Sequence, residues 1–97
     1  MTQAESRLSS SIIRKLNALP DTFAWKNHGS EYMIGGLPDI IVCHQGRFIG
    51  LEVKRPGKKD TVSPTQKLVH GLIRRAGGKV YVVSSIDEVM TKVLVNP

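Results

Sequence analysis

Three residues in this chain, Asp39, Glu52 and Lys54, have the types and the spacing that phosphoryl chemistry needs. Asp39 opens an apolar, β-branched run, Ile40-Ile41-Val42-Cys43, and Glu52 lies near the end of a second run over residues 47–54, with Gln45-Gly46 between them. If Gln45-Gly46 is a two-residue hairpin turn, the strands pair outward from His44 opposite Arg47, through Val42 opposite Ile49, to Asp39 opposite Glu52. Directly opposed residues carry Cβ atoms ~5 Å apart, so two carboxylates meet on one face of the hairpin. Strand alternation brings Lys54 to that face, while Ile49, Leu51 and Val53 point to the other and anchor the strand in the core. Like charges opposed across a ladder are destabilising, and a small basic domain gains nothing in stability from such a pair. A divalent cation removes the conflict, since Mg²⁺ prefers hard oxygen ligands and is commonly held by one or two carboxylates with water and phosphate. The carbonyl of Val53, between the two side chains, is a further candidate oxygen ligand. A cation there polarises a phosphate and acidifies a bound water. Lys54 can orient or activate that water and offset the charge of the transition state.

The elements that must hold these residues follow from periodicity and capping. Leu8, Ile12, Ile13, Leu16 and Leu19 recur at helical spacing before Pro20-Asp21, predicting a helix over residues 3–19 with Thr2 and Glu5 spaced as a capping box. Residues 22–28 form a strand, 29–37 a loop containing Gly35-Gly36, 39–44 and 47–54 the hairpin, and 55–62 a basic loop. Ser63-Pro64 starts a second helix, expected to turn Leu68, Val69, Leu72, Ile73 and Ala76 inward and to stop at Gly77-Gly78. Residues 80–83 form a buried strand. Ser85 and Glu88 again have capping-box spacing and open a last helix with Val89, Met90, Val93 and Leu94 on one face. The order helix, three strands, helix, strand, helix predicts one α/β domain over residues 1–97. Its crossover from residue 48 to 83 is expected to be right-handed and to join parallel strands.

Charge points the same way. Fourteen Lys and Arg against eight Asp and Glu give a net charge of +6, with a pI near 9.8, a favourable field for a polyanion. The excess is local, in residues 54–59 and in Lys67, Arg74 and Arg75. A solvated basic loop is the plain alternative, but its position directly after the carboxylates favours phosphate binding by Lys54, Arg55, Lys58, Lys59, Lys67 and Arg74. The apolar runs are too short to span a membrane, and the start lacks the pattern of a signal peptide, so a cytoplasmic location without membrane attachment is expected. The lone cysteine, Cys43, permits no internal disulfide and reads as a small buried hydrophobe. His28, His44 and His70 lack ligand-like spacing for zinc, and His70, a helical turn from Lys67 and Arg74, is expected to be exposed or to face DNA. Phe23, Trp25 and Tyr81 read as core.

Pro38-Asp39 followed by Glu52-Val53-Lys54 resembles the PD-(D/E)xK signature of restriction-type nucleases. More specifically, Gly35-Gly36-Leu37-Pro38-Asp39-Ile40, Gly50-Leu51-Glu52-Val53-Lys54, Ser63-Pro64-Thr65-Gln66 and Gly77-Gly78-Lys79-Val80-Tyr81-Val82-Val83 resemble the VRR-NUC (virus-type replication-repair nuclease) domain across essentially the whole chain. The resemblance implies a restriction-endonuclease-like core around a mixed sheet and a Mg²⁺-dependent DNA endonuclease, with Mn²⁺ the alternative metal. It further implies a homodimer resolving four-way (Holliday) junctions in DNA repair, nucleoid-associated in a bacterial or phage-infected cell. It carries two more residues to the site: Glu5, facing inward on the stripe of Ile12 and Leu16, and Gln66, on the line of Ile73. Both also fit a pure capping role, and that alternative stays open. Met33, Ile34 and Leu37 are candidate dimer contacts. A non-catalytic DNA-binding module, a nuclease for other branched or linear DNA and a sequence-specific restriction enzyme are the competing readings. The last has little room for base-reading insertions in 97 residues.

Overall fold

A computed structural model of the chain describes residues 1–29 and 34–95. Its elements are α1 (Gln3–Asn17), β1 (Thr22–Lys26), β2 (Ile40–His44), β3 (Arg47–Val53), a short 3-10 turn (Lys59–Thr61), α2 (Pro64–Arg75), β4 (Lys79–Val83) and α3 (Ile86–Val95). The sheet has the order β1-β2-β3-β4. Its first two pairings are antiparallel and the third is parallel, so the sheet is mixed and the α2 crossover joins parallel strands as expected.

Local chemistry accounts for the element ends. Thr2 and Glu5 close a reciprocal capping box at the start of α1, and Ser63 and Gln66 do so at the start of α2, with proline in its first turn. Gln45 (φ 51°) and Gly46 (φ 79°) both sit in the left-handed region. That is the backbone of a type I′ hairpin turn. It fixes the register at His44 opposite Arg47 and Ile40 opposite Leu51. The next pair outward is Asp39 and Glu52, one step beyond the ladder.

Two helices lie on one face of the sheet and one on the other, and this asymmetry governs what is buried. On the first face α1 and α3 enclose Ile12, Leu16, Val42, Ile49, Leu51 and Val93, all at most 1% exposed. Each such side chain stabilises the fold by about 1.5–3 kcal/mol relative to exposure. Asn17 ties α1 to β1, its side chain accepting from the Ala24 N–H (2.8 Å) and donating to the Ala24 carbonyl (3.0 Å). The opposite face carries only α2. A helix is roughly 10 Å across and strands lie about 4.8 Å apart, so one helix covers about two strands. Among the described residues α2 packs on β4, and no helix packs on the β1–β2 half of that face.

That coverage corrects several expectations. Phe23 (64% exposed), Trp25 (43%) and the residue Cys43 stand on the bare half of the sheet rather than in the core, beside a half-exposed Phe48. Phe23 and Trp25 stack there, with ring centroids 5.4 Å apart. On α2 the inward line is Gln66, Val69, His70 and Ile73, while Leu68, Leu72 and Ala76 face outward. His70 is 2% exposed, the reverse of the surface position expected for it. Leu94 at the end of α3 is also exposed. Tyr81 does pack against the core as expected.

Candidate active site

The site is assembled where β3 ends, β2 begins and the first turn of α2 crosses above them. Val53, the last residue of β3, donates its N–H to Asp39 Oδ2 at 2.9 Å, which draws the aspartate onto the neighbouring strand. Pro38 fixes the approach to Asp39 by lying against Gly50: a Cβ at that glycine would stand 2.5 Å from the Pro38 Cγ. Gly36, at φ +84°, brings the preceding loop so close to α2 that a Cβ there would be 2.7 Å from the Thr65 carbonyl oxygen. Asp39, Glu52, Val53, Lys54, Gln66, Glu5 and Met1 line one cleft of about 120 Å³. The structure therefore brings together every residue that the sequence placed at the catalytic centre.

Within the cleft Glu52 is 1% exposed. Burial, and after it the adjoining Asp39 carboxylate, pushes the Glu52 carboxyl up to about 8, with Lys54 and Gln66 acting in the opposite sense. A buried acid raised by a neighbouring carboxylate is relieved by a cation. No group of three or more His, Cys, Asp or Glu side chains is placed to hold a metal among the described residues. Mg²⁺ requires only one or two carboxylates beside carbonyl, water and phosphate oxygens. Asp39, Glu52 and the Val53 carbonyl fit that requirement, and the carboxylate atom Glu52 Oε1 is buried without a hydrogen-bond partner. Lys54 is half-buried on the cleft wall, its backbone N–H held by the Val83 carbonyl at 2.9 Å.

Glu5 and Gln66 each do two things at once, closing a helix cap and reaching the residues of the cleft. Gln66 Oε1 accepts from the Ser63 N–H (2.8 Å), while its Nε2 donates to Glu52 Oε2 (3.1 Å). Glu5 Oε1 accepts from the Thr2 N–H (2.9 Å), while its Oε2 accepts from the N–H of Arg55 (3.0 Å), one residue past Lys54. The Thr2 backbone hydrogen bond is the main cause that holds the Glu5 carboxyl below its usual range, against its own desolvation. Sequence spacing shows one half of each role; the other half needs the tertiary position.

The basic residues divide. Lys59, Lys67 and Arg74 line a second cleft of about 270 Å³ with Asp60, Val62, His70 and Val82. Lys59 is ion-paired with Glu88, and Arg74 donates from Nη2 to the Val80 carbonyl at 2.8 Å. Arg55 Nε lies 3.8 Å from Glu5 Oε2. Lys58 is exposed. His70 stands between the two clefts, its Nε2 3.4 Å from Glu52 Oε1. Burial, followed by the nearby Arg74 charge, lowers the His70 pKa, so the imidazole is neutral at neutral pH. The sequence analysis misses this residue. Its signal is present in the spacing, one helical turn after Gln66 on the same line.

Solved structures share this fold. A structure titled "VRR_NUC domain" matches with a TM-score of 0.78 at 24% identity, covering 99% of this chain and 100% of that one. The fold is that of the VRR_NUC domain. A second structure, titled "VRR_NUC domain protein", matches with a TM-score of 0.74 at 16% identity over 94% of this chain and 88% of that one. No family model matches the sequence, and no curated protein matches it. The VRR_NUC fold is thus carried by topology and packing, with few identical residues. No described helix is long and apolar enough to cross a membrane.

Proposed function

We propose that this chain is a metal-dependent nuclease that hydrolyses phosphodiester bonds in DNA. One observation carries the reading. Asp39 and Glu52 share a cleft in which Glu52 is almost wholly buried, with Lys54 on the same wall. Structure alone gives a small basic domain no reason to bury an acid beside another acid. The titles of the two matching structures, both VRR_NUC domains, agree with it.

In this reading Asp39, Glu52 and the Val53 carbonyl hold Mg²⁺, or Mn²⁺ in its place. The cation, when bound, supplies a polarised phosphate and an acidified water. Gln66 fixes the face that Glu52 presents, and Glu5 holds the backbone just after Lys54, which lines the cleft. Lys54 donates to the attacking water or to a phosphate oxygen and offsets the negative charge that develops during attack. Lys58, Lys67 and Arg74 draw the DNA backbone alongside.

The substrate we favour is a four-way junction cut by a homodimer. Resolution takes two cuts on a nearly two-fold object, and one domain supplies one cleft, so two chains are required. The uncovered half of the sheet, with Phe23, Trp25 and Phe48, offers a larger apolar contact than the loop before Asp39. In that loop Ile34 is exposed and Leu37 half-buried, and Met33 lies outside the described residues. Beside the aromatics, Phe48, Ile73, Ala76 and Gly78 line a hollow of about 240 Å³. A two-fold contact lets one protomer's exposed ring fill the other's hollow and the reverse.

The test incubates labelled four-way junction, flap and linear duplex with the protein, with and without Mg²⁺. Paired, Mg²⁺-dependent cuts in the junction support the whole proposal. Cutting of flap or duplex alone keeps the nuclease and rejects the resolvase. Binding without any cutting, in either metal, rejects the nuclease in favour of a DNA-binding module.

A further inference from the structure

We infer that His70 is a positioning residue for Glu52, its Nε2–H holding Oε1 of the buried carboxylate in the orientation that meets a cation. The inference rests on the nuclease reading of the cleft and adds to it a residue outside the cleft lining. Glu52 Oε1 and His70 Nε2 are both buried and without a hydrogen-bond partner, and they face one another at 3.4 Å. Leaving such an atom unpaired is costly, and a helix line that runs Gln66, Val69, His70, Ile73 has no packing need for a polar ring at its centre. A leucine would fill the space without that cost. Two orphans aimed at each other are explained if they form a pair when the carboxylate is ionised. Side-chain movement of roughly half an ångström closes the gap to the usual N–H···O length.

The arrangement then has a clear division of labour. Gln66 donates to Oε2 and His70 addresses Oε1, one helical turn apart on the same element. An ionised carboxylate has about four acceptor positions, so one donor per oxygen locks its plane and still leaves an acceptor on each oxygen for a cation. Groups that hold a metal's ligands in this way change metal affinity by about 10–100-fold when removed. The inference assigns the imidazole proton to Nε2.

The experiment titrates Mn²⁺ alone into the DNA-free protein by calorimetry, for the wild type, His70→Leu and His70→Gln. Glutamine can place an amide N–H near the position of Nε2, and leucine cannot. The Mn²⁺ Kd should rise about tenfold or more in His70→Leu and return to within about threefold of wild type in His70→Gln. With DNA and Mg²⁺, kcat should fall in the leucine variant with KM unchanged, because His70 is placed to act on Glu52 and not on the substrate. If His70→Leu does not fold, His70→Met takes its place against His70→Gln. Equal Mn²⁺ affinity in the apolar and glutamine variants overturns the inference, whether both match wild type or both are weakened. A wild-type protein that neither binds Mn²⁺ nor cuts DNA is a different result, which removes the nuclease reading itself.

Discussion

The α2 side of the sheet has two halves that invert the ordinary rule of burial in opposite directions. At the end where β3 finishes, it buries Glu52 and His70 and half-buries Asp39 and Gln66, polar groups that water would solvate gladly. Toward the β1 edge it leaves Phe23 and Trp25 exposed, with Phe48 beside them and Leu68 and Leu72 exposed on α2. Neither half is explained by the stability of an isolated chain. Withholding three aromatics from a core forgoes several kcal/mol, and burying an acid beside an acid costs as much again. In the proposed function both halves are completed from outside, the polar half by a cation and phosphate, the apolar half by a second copy.

The largest effect should come from breaking the polar half. Asp39→Ala, Glu52→Ala and Lys54→Ala should each lower the cleavage rate by about 10³-fold or more, on the scale of lost transition-state stabilisation, with circular dichroism unchanged. DNA affinity should survive in all three, as read by gel shift. A folded Glu52→Ala protein cutting at the wild-type rate would end the assignment. The apolar half should respond differently. Phe23→Glu combined with Trp25→Glu should abolish a dimer at micromolar concentration, a shift of about 100-fold or more in dimer Kd, as measured by analytical ultracentrifugation. Paired junction cuts should be lost while single nicks remain. A double variant that sediments as wild type removes this face from the interface.

A finer separation uses pH on the metal-free protein. The folded-state Glu52 pKa of about 8 lies above its ordinary 4.5, so the folded protein binds the extra proton between those values. Stability contributed by Glu52 is present below pH 4.5 and is lost as pH rises through 8. His70 acts in the other direction, its folded pKa being below 6.5, so its contribution grows with pH up to 6.5 and is complete above it. Between pH 6.5 and 8 only the glutamate slope remains. The wild-type melting temperature should fall across that window, and the slope should flatten in Glu52→Gln. Mg²⁺ should reverse the fall if it binds the ionised pair. The smallest effect should come from the rim: Lys67→Ala should reduce the salt dependence of DNA binding by about one phosphate contact, a slope change of roughly 0.9.

What the sequence disclosed follows from how local each feature is. The hairpin was legible because Gln45-Gly46 leaves little freedom of register, and register places Asp39 against Glu52. Both helix starts were legible because a capping box is a four-residue pattern. The facing of α2 was not. Its run Leu68-Val69 and Leu72-Ile73 offers two adjacent apolar stripes, and periodicity cannot say which one meets a sheet. Turning both stripes inward, from Leu68 and Val69 to Leu72, Ile73 and Ala76, leaves His70 outward, whereas the sheet meets only the Val69 and Ile73 stripe, with His70 on it. Phe23, Trp25 and Cys43 were misplaced for a related reason. Their alternation in the strands is correct, but which side lacks a second helix is a property of the whole topology.

Gln66 closes the first turn of α2 with one end of its amide and grips Glu52 with the other. Helix ends open and close far more often than helix centres. Each time the Ser63–Gln66 turn frays, the carboxylate loses its tether in the same event. In the proposed function the arrangement that meets a cation is held during the closed intervals of that turn, and amide hydrogen exchange at Gln66 measures how often it opens.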